Sequence, residues 1–292
     1  MKGRIIVSTL LALLLLVSMP MSALAATWDI SKGDITVNAE SGGQTVRQGG
    51  GAAVPDSAPV ITGTSKENNV TINAESGQTA SVTLSGVNID VRDKGKAAVS
   101  TTGEGNVSIE LNGESTLRSG YEHAGLEKNN GGSLTIADED KNGKLTAKGG
   151  DLGAGIGGGW WGKGKDITVS GAAKLKVPGG VEDDSNGAGA GIGDGGSRRD
   201  ASQGSQIPGA EVEPDTSGLL TTGWIEYYAP GADMENDTPT STTTGTSSQP
   251  EKPIEPSAER GMDAPLYRMT DKYDRDIAYT AEQTGGVLTV TV

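Results

Sequence analysis

The chain of 292 residues carries 24 basic and 38 acidic side chains, a formal net charge of −14, with no cysteine and no phenylalanine. The missing cysteine excludes disulfides, thiol catalysis and any cysteine-held zinc, and the acidity argues against a nucleic-acid partner, since phosphate binding needs the opposite sign. With four Trp and six Tyr as the aromatic complement, an apolar core has to be assembled from Val, Ile, Leu and Ala, which suits narrow stacked turns better than a bulky sandwich.

Residues 1–25 read as an export signal. Lys2 and Arg4 precede an apolar run of 13 residues, Ile5–Val17, and Ala23-Leu24-Ala25 is a small-residue cleavage site. The run is too short to span a bilayer comfortably. Cleavage after Ala25 leaves 267 residues with 22 basic against 38 acidic side chains, a formal charge of −16 and no membrane span. An exported chain without disulfides must gain its stability from packing or bound ions, which fits a bacterial protein of the cell surface or surroundings.

From residue 26 to about residue 234 two short elements alternate. One is apolar-(Thr/Ser)-apolar: Ile35-Thr36-Val37, Val82-Thr83-Leu84, Val107-Ser108-Ile109, Leu134-Thr135-Ile136 and Ile167-Thr168-Val169. The other is Ala-x-apolar: Ala97-Ala98-Val99, Ala124-Gly125-Leu126, Ala154-Gly155-Ile156 and Ala190-Gly191-Ile192, at steps of 27, 30 and 36 residues, with a poorer echo at Ala52-Ala53-Val54. Two elements recurring in fixed order over such a period mark a solenoid of stacked turns, and Gly, Asn and Asp between them supply the corners. Further strands are expected at Val87–Val91, Thr116-Leu117, Leu145–Ala147 and Lys174–Val177. Helix is close to absent. The fold expected is all-β, a single-stranded right-handed parallel β-helix, with Gly155 facing outward between inward Ala154 and Ile156, with Ile35, Val82, Val107, Leu134 and Ile167 pointing inward at like positions, and with Ala97, Ala124, Ala154 and Ala190 forming an inward ladder.

A duplication supports the repeat: Ile35-Thr-Val-Asn-Ala-Glu-Ser-Gly42 matches Val70-Thr-Ile-Asn-Ala-Glu-Ser-Gly77. The register of residues 55–80 stays open at this level; Val60–Gly77 can be read as a complete turn with a degenerate tag. Trp224–Tyr228 reads as a final rung or cap. Residues 235–260, rich in Thr, Ser and Pro, read as an extended linker. Residues 261–292 resume strand character and read as the start of a second, truncated β domain.

The glycine-rich stretch Gly153–Gly159 matches G-x-G-x-x-G, yet no helix follows to present its N-terminus to a phosphate, so its glycines serve the coil geometry. Together with Ile167-Thr-Val-Ser-Gly and Leu134-Thr-Ile…Lys144-Leu-Thr-Ala, this stretch resembles the right-handed parallel β-helix carbohydrate-binding domains of Gram-positive and gut clostridial surface proteins. The resemblance covers about residues 27–231. It implies a pectate-lyase-like fold, binding of plant polysaccharide and calcium held without demonstrated cleavage. It carries over no individual calcium ligand, because no distinctive family motif is present for one.

Three groups of residues can carry chemistry. Asp138-x-Asp140-x-Asn142-Gly143 fits the first half of a calcium loop, although position 12 falls on Gly149 and rules out a complete EF-hand loop. The same residues also read as a hairpin, with Asn142-Gly143 turning Leu134–Ala137 back onto Lys144–Ala147; the two readings are compatible. Asp183 and Asp184 lie in a second acidic run, readable as a solvated loop or as cation ligands. Trp160-Trp161, flanked by glycines, is expected in a loop where the indoles either stack on sugar rings or pack onto a neighbouring turn. Tyr121, one rung earlier in the same kind of loop, can extend that platform. Catalysis has little support: His123 is the one histidine, no G-x-S-x-G occurs, and Arg92, with Asp93 beside it, reads as a surface ion pair, leaving Arg118 the other nominal lyase base.

The function expected is therefore a non-catalytic, secreted or cell-surface carbohydrate-binding module, calcium-assisted, a monomeric part of a longer surface protein. A structural stalk is the alternative, and a polysaccharide lyase the third reading.

Overall fold

The structure, a computed structural model, describes residues 25–197 and 206–247 and the backbone of the strands Thr280–Thr284 and Val287–Thr291. The export signal, apart from Ala25, and residues 248–260 of the linker lie outside the described residues. The chain divides into one unit up to Ser247 and a second from Ser248. In the second, Thr280–Thr284 and Val287–Thr291 pair antiparallel.

The first unit is an all-β coil of three largely parallel sheets, through which the chain cycles in constant order. One turn runs Val99–Thr102 in the second sheet, Asn106–Asn112 in the first and Glu114–Arg118 in the third, before Leu126–Lys128 returns to the second. Like residues then stack along the axis. Val99, Leu126, Ile156 and Ile192 pair in succession, so the apolar ends of the four Ala-x-apolar elements form one ladder. The strands expected at Val87–Val91, Thr116-Leu117, Leu145–Ala147 and Lys174–Val177 build the third sheet, in which Leu145, Leu175 and Ile225 align.

Strict alternation places one face of each strand inside. Val107, Ile109 and Leu111 are buried while Ser108 and Glu110 are not. The largest fully buried side chains are all Ile or Leu, which fill a narrow bore without an aromatic ring.

Several expectations change in register. Val107, Leu134 and Ile167 do pair as one ladder, but Val82 stands opposite Ile109, two residues further on. Ile35 lies in the second sheet, where it pairs with Val70 and so extends the ladder of Val99. All five side chains are buried, because a two-residue slip preserves the inward face. The duplicated segments lie directly against each other, Ile35 on Val70 through Ala39 on Ala74. Val60–Thr62, Thr64–Ser65 and Val70–Ala74 make a complete turn through all three sheets.

Three other corrections concern corners and ends. Asn142-Gly143 makes no hairpin: Leu134–Ala137 belongs to the first sheet and Lys144–Lys148 to the third, so the turn is a corner between sheets. The hairpin lies at Ser41-Gly42, pairing Ile35–Glu40 with Gly43–Gln48. Val54 joins that antiparallel extension opposite Val46 and is exposed, so the Ala52-Ala53-Val54 echo is no rung. Gly155 does not face solvent; a Cβ there would press on the carbonyls of Gly191, Ala147 and Pro178. At Ala154-Gly155-Ile156 the centre must be glycine because backbone carbonyls at the end of the third sheet pack against it, whereas the first copy accommodates a buried Ala98.

Trp224–Tyr228 is the last rung of the third sheet, parallel to Lys174–Pro178. Ser241–Thr244, inside the stretch expected as linker, runs antiparallel along it. Antiparallel strands thus border the coil at both ends, where an open parallel edge would invite further pairing.

Candidate functional site

On its later rungs the second sheet narrows to strands of two or three residues, Leu126–Lys128, Ile156–Gly157 and Ile192–Gly193, and loops from both of its corners fold across its outer face. Loop 119–125 enters from the third sheet, and loop 158–166 leaves toward the first. They meet where the Trp160 amide donates to the Glu122 carbonyl at 2.7 Å, and Trp161 N–H reaches the Gly196 carbonyl at 3.1 Å on the following rung. Gly157 sets the exit: its φ of 135° is closed to other residues, and a Cβ would collide with the Gly193 carbonyl.

This framework holds Trp160 and Trp161 at the surface, 38% and 59% exposed, with ring centroids 5.5 Å apart and planes tilted by 57°. Tyr121 is 48% exposed. It sits at the corner opposite to the one that carries the tryptophans, not in the same kind of loop, yet next to the Glu122 carbonyl that Trp160 binds. Its hydroxyl donates to Asp183 Oδ2 at 2.9 Å.

Beside Trp161 lies a cavity of about 300 Å³, bounded by Lys163, Asp194 and the segment Ile207–Ala210. Lys163 Nζ stands 2.7 Å from Asp194 Oδ2, and the Gly164 amide donates to Oδ1 at 3.0 Å. Lys163 is largely exposed while the Asp194 side chain is nearly buried. The sequence pattern did not point to this hollow, because Asp194 and Ile207–Ala210 follow Trp161 and Lys163 only after 31 to 49 residues of chain.

Under the loops, Glu127 is buried on the outer face of its strand. It accepts from Ala124 N at 3.1 Å and Asn129 Nδ2 at 2.7 Å, and faces His123 Nδ1 at 2.8 Å. The Glu127 contact pushes the imidazole pKa up, against the opposing effect of burial. Burial opposes ionisation of Glu127, but His123, Asn129 and Ala124 together hold its carboxyl below the usual range. For the raised imidazole, the stabilisation is complete below its ordinary 6.5 and fades as pH climbs through the folded value. For the lowered carboxyl, it is present above 4.5 and fades as pH falls through the folded value. The difference in melting midpoint between the native protein and a His123→Ala variant should therefore be largest between about pH 4.5 and 6.5. A difference that stays flat from pH 4 to 9 would show that the pair contributes no charge interaction.

Asp138 and Asp140 are brought together with Glu110 of the neighbouring turn, a residue the sequence did not single out. One carboxylate oxygen from each lies within 4.8 Å of the others. The signal was available only through register: Glu110 pairs with Ala137, which places it beside Asp138. Oxygens on a sphere of about 2.4 Å around calcium are at most about 4.8 Å apart, so the triad could hold a metal ion of that kind. Burial foremost raises the pKa of both Glu110 and Asp138, and the neighbouring carboxylates add to it. Asp138 also accepts from the Asn142 and Gly143 amides at 3.2 and 3.0 Å and so shapes the corner.

The other expected ligands lie elsewhere. Asn142 turns Oδ1 to the Gly113 amide at 3.0 Å. Asp183 and Asp184 are not in the triad; Asp183 accepts from Ser185 N, Asn186 N and Asn186 Nδ2 in addition to Tyr121. Arg92 pairs with Asp90 rather than with the adjacent Asp93. Comparison with protein-family models, curated proteins and solved structures finds no match.

Proposed function

We propose that this chain is an exported, non-catalytic carbohydrate-binding β-helix module that recognises neutral polysaccharide through Trp160, Trp161 and Tyr121. The observation that carries this reading is the exposure of two adjacent indoles on a loop pinned by backbone hydrogen bonds to the turns on either side. Apolar ring faces fixed in water are suited to the C–H faces of sugars, and a rigid mount lowers the ordering cost of binding. The resemblance to β-helix carbohydrate-binding domains of bacterial surface proteins, together with the export signal, supports a place outside the cell. The formal charge of −16 on the exported chain, 22 basic against 38 acidic side chains, favours neutral over polyanionic glycans.

Immobilised neutral and acidic plant polysaccharides, offered with and without calcium and assayed for new unsaturated ends, test the proposal. Retention on a neutral polymer without new ends is expected. Unsaturated ends would establish a lyase, and no retention on any polymer would leave the structural stalk.

Calcium is the ion proposed for Glu110, Asp138 and Asp140, with the remaining oxygen positions filled by water or backbone. Calcium at a hundred times its Kd should stabilise the fold by about 2.7 kcal/mol, and a chelator should remove that gain. A Glu110→Gln/Asp140→Asn variant, which spares the corner held by Asp138, should lose the calcium response. A melting midpoint indifferent to calcium in the native protein would end the idea.

A further inference from the structure

Resting on the carbohydrate reading, we infer that the hollow between Trp161 and Ile207–Ala210 is the subsite that holds a single sugar ring, and that it selects a neutral pyranose with two adjacent free hydroxyls. Its volume of about 300 Å³ stands at the small end of the ~300–1,000 Å³ spanned by ligand pockets, which is room for one ring rather than a run of polymer. Its apolar walls are Trp161 on one side and the exposed Ile207 and Pro208 on the other. A pyranose presents C–H faces to such walls and hydroxyls around its edge.

The polar end is a matched donor and acceptor. Asp194 is held in place through Oδ1 by the Gly164 amide, which leaves Oδ2 toward Lys163 Nζ at 2.7 Å. That spacing is one hydrogen bond, and adjacent sugar hydroxyls are separated by a similar distance. One hydroxyl can donate to Oδ2 while its neighbour accepts from the ammonium, so a diol bridges the pair without leaving either charge unpaired. Lys163 is exposed and free to swing onto the ligand, whereas Asp194 is anchored. A uronate carboxylate in the same position would face Asp194, and the pair has no surplus positive charge to offset it. Trp160, whose ring lies 5.5 Å from that of Trp161, then serves the ring next to the one bound here.

Titration calorimetry with cellohexaose and with hexagalacturonate tests the assignment, using the full chain. Native protein should bind cellohexaose and not hexagalacturonate. Lys163→Met, which keeps the stem and removes the donor, should weaken cellohexaose binding at least about tenfold. Ala210→Trp, at an exposed position on the wall, should fill the hollow and abolish binding. Ala210→Trp should keep the native melting midpoint, whereas Lys163→Met, which leaves the nearly buried Asp194 without its ammonium partner, should lower it while keeping the native far-UV spectrum. If both bind like the native protein while loss of the two tryptophans abolishes binding, the glycan lies on the aromatic faces alone; the carbohydrate reading stands and this subsite is refuted. Preferential binding of hexagalacturonate refutes the selectivity. If native protein retains no polysaccharide at all, both readings fall together.

Discussion

Ile136→Ala should lower the stability of the coil by about 2–5 kcal/mol, the range for truncating a buried aliphatic side chain that leaves a cavity. Ile136 is fully buried and stands between Ile109 and Val169 in the first sheet, so neighbours above and below hold the space open. The melting midpoint should fall by roughly 4–20 °C at ~2–4 °C per kcal/mol for a domain of this size. Thr135→Ala, one residue away on the outer face, should change stability by no more than about 0.5 kcal/mol. The contrast between neighbours is the signature of alternation into a narrow bore. Equal effects at the two positions would contradict it.

The second large effect is on binding. Trp160→Ala/Trp161→Ala should weaken glycan binding roughly 30- to 700-fold, from ~1–2 kcal/mol for each ring face removed. The melting midpoint should stay near that of the native protein, since neither indole belongs to the core of the coil. A double variant that unfolds would mark the indoles as packing elements of the loop. One that folds and binds unchanged would move the glycan site to another part of the surface.

Much of the fold was legible because a solenoid repeats its constraints. Spacing alone identified the ladder of Val99, Leu126, Ile156 and Ile192, because each turn must bring a like residue to the same height. The first-sheet register was harder. Apolar residues recur every second position in Ala80, Val82 and Leu84, so a shift of two leaves the pattern intact, and only the coordinates distinguish Val82 opposite Ile109 from Val82 opposite Val107. The corner at Asn142-Gly143 misled for a related reason. A turn-forming pair joins strands whether the chain reverses within a sheet or steps to the next one, and nothing local separates the two.

The site divides the same way. The tryptophans announced themselves through glycine neighbours that no strand would keep. Glu110 and Glu127 did not, and Asp194 could be read only as one more carboxylate near a cation, because each acquires its role from a residue one turn away or from a loop folded over it. The acidic triad needs the pairing of residue 110 with residue 137, and the hollow beside Trp161 needs Ile207–Ala210 laid against Lys163 and Asp194. Contacts between turns lie beyond local motif reading unless the register is already known.

Acrylamide quenching of tryptophan fluorescence, with and without saturating neutral glycan, tests the central claim most directly. Trp28 and Trp224 are partly buried, Trp28 with its indole N–H donating to Asp56, whereas Trp160 and Trp161 are open to solvent. The account predicts that glycan sharply reduces quencher access and that the reduction disappears in Trp160→Ala/Trp161→Ala. Glycan bound to saturation with quenching of the native protein unchanged would contradict it.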